Sequence, residues 1–241
     1  MRRTDGKLHK AKARPKHAVL SAAAKKPQLK YTPAAVRLAP VTRRMTIVAC
    51  ASPDAGSVVL TDFLSATRKS LTVGMYDFTS GQLLKSLDAM LKGGRKAFTM
   101  TLCHPPLDRT ADQSDEQSVH AIHAADRTAK TAWALVRNDP LAAKWIYPSA
   151  YHIKVAVRDP STFWLSSGNW NVSNQPEQPA DKSSAAALKG SDRDWHVIVE
   201  DEGLATLFEA YLEHDFAVAS ANQAKPSKTA TAQAKVIKAA T

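Results

Sequence analysis

Along the middle of the chain the apolar positions switch between a two-residue and a helical period, and each switch marks a strand or a helix. Met45–Ala51 is a short apolar run that predicts a strand, ended by Ser52-Pro53-Asp54. A helix is expected from there to Lys69, with Val58, Val59, Leu60, Phe63 and Leu64 facing inward. Leu71–Phe78 predicts a second strand, and Gly81–Leu91 a helix stopped by Gly93-Gly94. Lys96–Cys103 reads as a third strand. The stretch Ser114–Arg137 reads as one long helix with Val119, Ile122, Trp133 and Val136 in the core. Short strands follow at Lys144–Tyr147, Tyr151–Arg158, Thr162–Ser167 and Trp195–Glu200, and a last helix covers about Glu202–Phe216. Strands alternating with helices predict an α/β fold, a layered domain with a mixed β-sheet flanked by helices.

The two ends depart from this pattern. Residues 1–44 hold 13 Lys/Arg and one acid, and residues 220–241 hold four Lys and no acid. Neither end keeps a period. The first reads as a basic disordered arm able to contact anionic surfaces, nucleic acid or lipid, and the last as a disordered tail. The domain between them, 45–219, keeps 16 Lys/Arg against 21 Asp/Glu, so the net charge of +11 belongs to the ends. Composition therefore gives no support for a basic groove on the domain. No apolar run is long enough for a spanning helix, and the apolar stretch near Ala18–Ala24 is too short for a secretory signal. Cys50 and Cys103 lie in apolar surroundings and read as buried free thiols.

The chemistry is concentrated in residues 151–170, Tyr-His-Ile-Lys-Val-Ala-Val-Arg-Asp-Pro-Ser-Thr-Phe-Trp-Leu-Ser-Ser-Gly-Asn-Trp. In an extended strand His152 and Lys154 share one face, about 7 Å apart, while Tyr151, Ile153, Val155 and Val157 give the other to the core. Asp159-Pro160-Ser161-Thr162 carries a type I turn signature. A two-residue loop at Pro160-Ser161 would set His152 opposite Asn169 and Lys154 opposite Ser167, gathering all four on one face. A lysine and an asparagine can hold phosphate oxygens, and an imidazole can attack phosphorus. The arrangement demands no metal or other cofactor. Chance would produce the whole pattern in a chain this long with probability on the order of 10⁻⁴ or less.

The spacing His152-x-Lys154-x4-Asp159-x6-Ser166-Ser167-x-Asn169 resembles the His-Lys-Asp motif of the phospholipase D superfamily. In that family the position of Ser166 is more often glycine. Flanking segments are similar too: Ser52-Pro53-Asp54, Met75-Tyr76-Asp77-Phe78 and Ser191-Asp192-Arg193-Asp194-Trp195. The resemblance implies His152 as nucleophile or general acid. It also implies Lys154 and Asn169 as phosphate ligands, Ser167 as support, Asp159 as a brace, and Asp194 as an acid orienting the histidine. It implies a site built from two motifs, and this chain has one. The second would come from a homodimer partner or from a missing half of a longer protein. The expected partner molecule is a phosphodiester substrate, phospholipid or nucleic acid. The first expectation is a phospholipase D-like phosphodiesterase working through phosphohistidine. The alternatives are a homodimeric metal-independent endonuclease and a non-catalytic binding module. Among the other histidines of the domain, His104 follows a strand, His120 and His123 lie three apart on a helix and read as surface residues, and His196 and His214 show no partner in sequence.

Overall fold

The computed structural model describes residues 34–36, 39–103, 114–135, 150–177 and 190–223. Seven strands form one sheet in the order β1-β7-β6-β5-β2-β3-β4. In chain order these are β1 (Thr46–Ala51), β2 (Ser70–Met75), β3 (Ala97–Cys103), β4 (Lys130–Leu135), β5 (Lys154–Arg158), β6 (Thr162–Ser166) and β7 (Trp195–Glu200). β2, β3 and β4 are parallel, whereas β5 runs antiparallel to β2, and β6, β7 and β1 continue the antiparallel half. The sheet is therefore mixed, as the alternation of elements predicts.

Helices cover both faces. α1 (Gly56–Ser65), α2 (Gly81–Lys92) and α3 (Asp115–Ala125) lie over one. Leu60, Phe63, Leu64, Leu83, Leu87 and Ile122 bury themselves there against Val73, Ala156 and Trp164. α4 (Glu202–Gln223) covers the other, where Leu212 and Phe208 meet Val155, Val157, Phe163 and Val199. The helix starts follow local rules. Ser80 accepts the Leu83 N–H, and Ser114 with Gln117 closes a reciprocal capping box.

Several elements differ from the sequence expectation. α1 stops at Ser65, well before Lys69, and Val58 is 48% exposed, so only Leu60, Phe63 and Leu64 of the expected inward set are buried. β2 ends at Met75; Phe78 instead makes an isolated bridge to Trp170. The long helix over Ser114–Arg137 is two elements, α3 and the strand β4. Asp126 breaks it by accepting both the N–H and the hydroxyl of Thr128, a local turn that competes with helix. Trp133 is therefore a strand residue, while Val136 and the strand expected at Lys144–Tyr147 lie outside the described residues. α4 continues past Phe216 to Gln223. Cys103 is buried and Cys50 half-buried, and neither forms a disulfide.

The hairpin register is the most consequential correction. Arg158 pairs with Thr162 and Val155 with Leu165, one residue out of step with the expected pairing. The loop holds three residues because Asp159 adopts a left-handed backbone, φ 52°, which aspartate tolerates better than most residues. Its carboxylate accepts the N–H groups of Arg68, Lys69 and Ser70 at 2.6–3.2 Å, and its own N–H donates to the Ser70 carbonyl. The turn is thereby fixed by the segment between α1 and β2, which the local sequence of the turn does not reveal.

Candidate active site

Lys154 opens β5 beside Met75, the last residue of β2. The observed register, continued by one residue, sets Lys154 opposite Ser166 and not Ser167. His152 lies two residues before β5 and outside the ladder. The polar cluster thus forms where the strands end and not as a row on one face. Asn169 and Ser167 join it from the loop after β6, and Asp194 from the residue before β7.

Ser167 and Asp194 bind each other directly. The Ser167 hydroxyl donates to Asp194 Oδ1 at 2.8 Å and accepts the Trp195 N–H at 3.0 Å. Asp194 Oδ2 takes an Asn174 amide N–H at 2.7 Å, and Asn174 Oδ1 takes the Asn169 N–H at 3.0 Å. Glycine is required between the two serines and Asn169. A Cβ on Gly168 would sit 2.7 Å from the Asp194 carboxylate. The loop is also tied to the end of β2: the Trp170 N–H donates to the Asp77 carbonyl, and Asn171 Nδ2 donates to Asp77 Oδ2 at 2.8 Å.

Lys154 is 5% exposed, and its ammonium has no hydrogen-bond partner among the described residues. Burial pushes its pKa down to about 8, with Asp194 and Asp77 pulling the other way. Asn169 Oδ1 is likewise buried without a partner. Leaving such groups unpaired is costly, so polar groups of this kind are normally satisfied by something. His152 is exposed, with its ring edge-on to Tyr76 at 4.8 Å between centroids. Tyr76 also lies under Lys154, its ring centre 5.3 Å from Nζ. Burial first, and the Lys154 charge second, hold the His152 pKa below its ordinary value, which favours the neutral imidazole.

Neither of the two acids, Asp194 and Asp159, hydrogen-bonds His152. Asp194 makes no hydrogen bond to His152 within the chain; it is committed to Ser167 and Asn174. Asp159 sits at the far end of β5, five residues or about 17 Å of extended strand from Lys154. It anchors the hairpin there and touches none of the other motif side chains.

Sequence reading missed Tyr76, Asp77, Asn174 and His196. His196 is 1% exposed, with Nε2 hydrogen-bonded to Ser52 Oγ and Nδ1 to Ser166 Oγ, both at 2.8 Å. Ser166 Oγ also accepts the Gly168 N–H at 2.8 Å. Burial holds the His196 pKa down, with Asp194 opposing. A neutral imidazole offers one N–H and one lone pair, so it can join two hydroxyls. Ser166 thus uses its hydroxyl in a buried chain from the turn after β1 to the motif loop. Gly56 makes room for that chain, since a Cβ there would lie 2.2 Å from Ser52 Oγ and 2.6 Å from His196 Nε2. A serine at 52 and a histidine at 196 gave no sign of this, because 144 residues separate them.

No protein-family model matches the chain, and neither does any curated protein. Solved structures do. NucT from Helicobacter pylori superposes with a TM-score of 0.52 at 15% identity, over 71% of this chain and 95% of that one. Nuc from Salmonella typhimurium, a phospholipase D family member, gives 0.48 at 17% identity, over 72% and 95% of the two chains. Phosphatidylserine synthase from Haemophilus influenzae gives 0.44 at 14%, over 71% of this chain and 38% of that one. The chain shares the fold of NucT, here a mixed seven-stranded sheet between helical layers. No helix among the described residues is long and apolar enough to cross a membrane.

Proposed function

We propose that this chain is a phosphodiester hydrolase or transferase of the phospholipase D type, working through a phosphohistidine on His152. The observation that carries the reading is the buried Lys154 ammonium, which has no hydrogen-bond partner among the described residues, as the buried Asn169 carbonyl oxygen has none. A lysine held below its ordinary pKa and lacking a carboxylate partner is suited to a non-bridging phosphate oxygen, which would supply the missing acceptor. The Asn169 amide can turn its N–H groups to the same phosphate.

The neutral imidazole of His152 attacks phosphorus, a P–N bond forms, and the P–O bond to the leaving group breaks. The departing oxygen needs a proton. Neither Asp194, bonded to Ser167 and Asn174, nor His196, buried under the loop, is free to give it. A second histidine, from a second copy of the chain or from another half of a longer protein, fills that role. Attack by water, or by an alcohol in a transferase, then releases the phosphate ester and regenerates His152. Ser167 and Asp194 hold the loop that presents Asn169, and Asp159 braces the hairpin. The segments Ser166–Trp170 and Ser173–Pro176 look more like the first half of a two-motif, phospholipase-like protein, which favours a phospholipid substrate over the rival nucleic acid.

The test is turnover of bis(p-nitrophenyl) phosphate in EDTA, with a labelled phosphodiester to trap the covalent enzyme. His152→Ala is expected to lose both turnover and label by at least about a thousandfold. Retention of either sinks the mechanism. Head-group release from phosphatidyl lipid against plasmid nicking then decides the substrate class.

A further inference from the structure

The described domain gathers eight cationic side chains at one end. The parallel strands β2, β3 and β4 start at Ser70, Ala97 and Lys130, and the candidate active site lies at their other end. Around the starting end stand Arg68, Lys69, Lys92, Arg95, Lys96, Arg127, Lys130 and Arg158. That is half of the 16 Lys/Arg of residues 45–219, a segment whose overall balance is acidic. The linear count hides this segregation; the sheet topology creates it.

Between α1 and α2 this end opens into a cleft of about 680 Å³. Its walls include Thr61, Ser65, Thr67, Arg68, Arg95 and Lys96, and no carboxylate lines it. Some cations here have structural work. Lys96 Nζ donates to the Met90 carbonyl and Arg158 to the Phe63 carbonyl, neutralising helix ends. Of the nearby acids, Asp159 is committed to three backbone N–H groups, Asp88 to Lys92 and Asp126 to Thr128. Arg68 and Arg95 are exposed, and their guanidinium groups make no ion pair or hydrogen bond among the described residues. Thr67 is 1% exposed, and its hydroxyl, like that of Thr61, has no hydrogen-bond partner.

From this geometry we infer a second anion site, separate from the His152 cluster, that takes a phosphate group between Arg68 and Arg95. Guanidinium groups bind phosphate oxygens in pairs of parallel hydrogen bonds, and hydroxyl donors complete the shell. The phosphate is that of a free anion or of a phosphate ester, since the same oxygens are offered by both. This inference does not depend on the proposed catalytic function.

It is tested on the full chain by following the backbone amide resonances of Thr67, Gly93 and Gly94 during titration with pyrophosphate and, separately, with adenosine 5′-monophosphate. Saturable shifts with either probe are expected, unchanged in Lys154→Ala and with Kd raised about tenfold or more in the double variant Arg68→Ala/Arg95→Ala. Equal affinity for the two probes marks recognition of the phosphate alone, and tighter binding of the nucleotide marks an ester ligand. The site is refuted if neither probe moves these resonances up to roughly 10 mM, a Kd too weak for a built site. It is equally refuted if the shifts survive the double arginine change or vanish in Lys154→Ala. Bis(p-nitrophenyl) phosphate turnover in the double variant should equal that of the parent chain, which separates failure here from failure of the catalytic reading.

Discussion

Ser167 donates its hydroxyl to Asp194 at 2.8 Å, joining the end of β6 to the start of β7 directly against the Cα of Gly168. The contact leaves no space for a side chain between the motif serines and Asn169. Gly168→Ala should therefore displace the Asp194 carboxylate, and with it the Asn174 contact that holds the Asn169 backbone. The expected result is a folded protein whose kcat on a chromogenic phosphodiester falls at least about tenfold, a typical consequence of misplacing a site by a fraction of an ångström. An unchanged kcat would show that this contact does not position Asn169.

Lys154 should cost the protein stability. Its folded pKa of about 8 lies below that of an unfolded lysine, so its contribution is fully present above about pH 10.5 and lost as pH falls through 8. At pH 7 the buried ammonium is charged and unpaired. Lys154→Met should raise the unfolding free energy by about 1–3 kcal/mol at pH 7 while abolishing turnover. Urea denaturation at pH 7 and pH 9.5 checks it, with the gain smaller at the higher pH. A loss of stability at pH 7 would contradict the burial argument.

Asp115 behaves in the opposite sense. It is 4% exposed, and burial raises its pKa to about 7 although its Oδ1 accepts the Phe78 N–H at 2.7 Å. A carboxyl raised in the folded state lends stability that is full below about pH 4 and lost as pH rises through 7. Asp115→Asn keeps an acceptor for Phe78 without the charge. It should gain about 1–3 kcal/mol at pH 8 relative to its effect at pH 5. Identical effects at both pH values would show that the carboxyl is not protonated in the folded state.

At the hairpin tip, burial pushes the Asp159 carboxyl up, and the N–H groups of Ser70, Lys69 and Arg68 with the Arg158 charge outweigh it and hold it below its ordinary value. Its stabilising contribution is present at neutral pH and fades as pH drops below about 4. Asp159→Ala should cost about 1–3 kcal/mol by orphaning those donors in a left-handed turn, and Asp159→Asn distinctly less. The affinity of the His152 cluster for a competing phosphate should stay the same in both. A selective loss of that affinity would place Asp159 in the site after all.

The alternation of apolar runs was enough to define the layered α/β class, because each strand or helix must bury its own face whatever its neighbours are. The fixed spacing of His152, Lys154, Ser167 and Asn169 pointed to phosphate chemistry for a similar local reason: the start of one strand, the residues just before it and the loop after its neighbour carry all four. β4 was hidden within a helical reading because Ala-rich Lys130–Leu135 follows α3 with only an Asp-centred turn between them.

Long-range partners decided the rest. The register of β5 on β6 depends on Arg68, Lys69 and Ser70 capping a residue about 90 positions away. Asp194 reaches Ser167 and Asn174, and His196 reaches Ser52, only once β7 has inserted between β1 and β6. The basic end forms because parallel strands bring their starting loops together, gathering cations that the sequence scatters among a larger number of acids. Local chemistry was thus written into the sequence, whereas register, second partners and the distribution of charge arise from contacts between residues far apart in the chain, which no local pattern encodes.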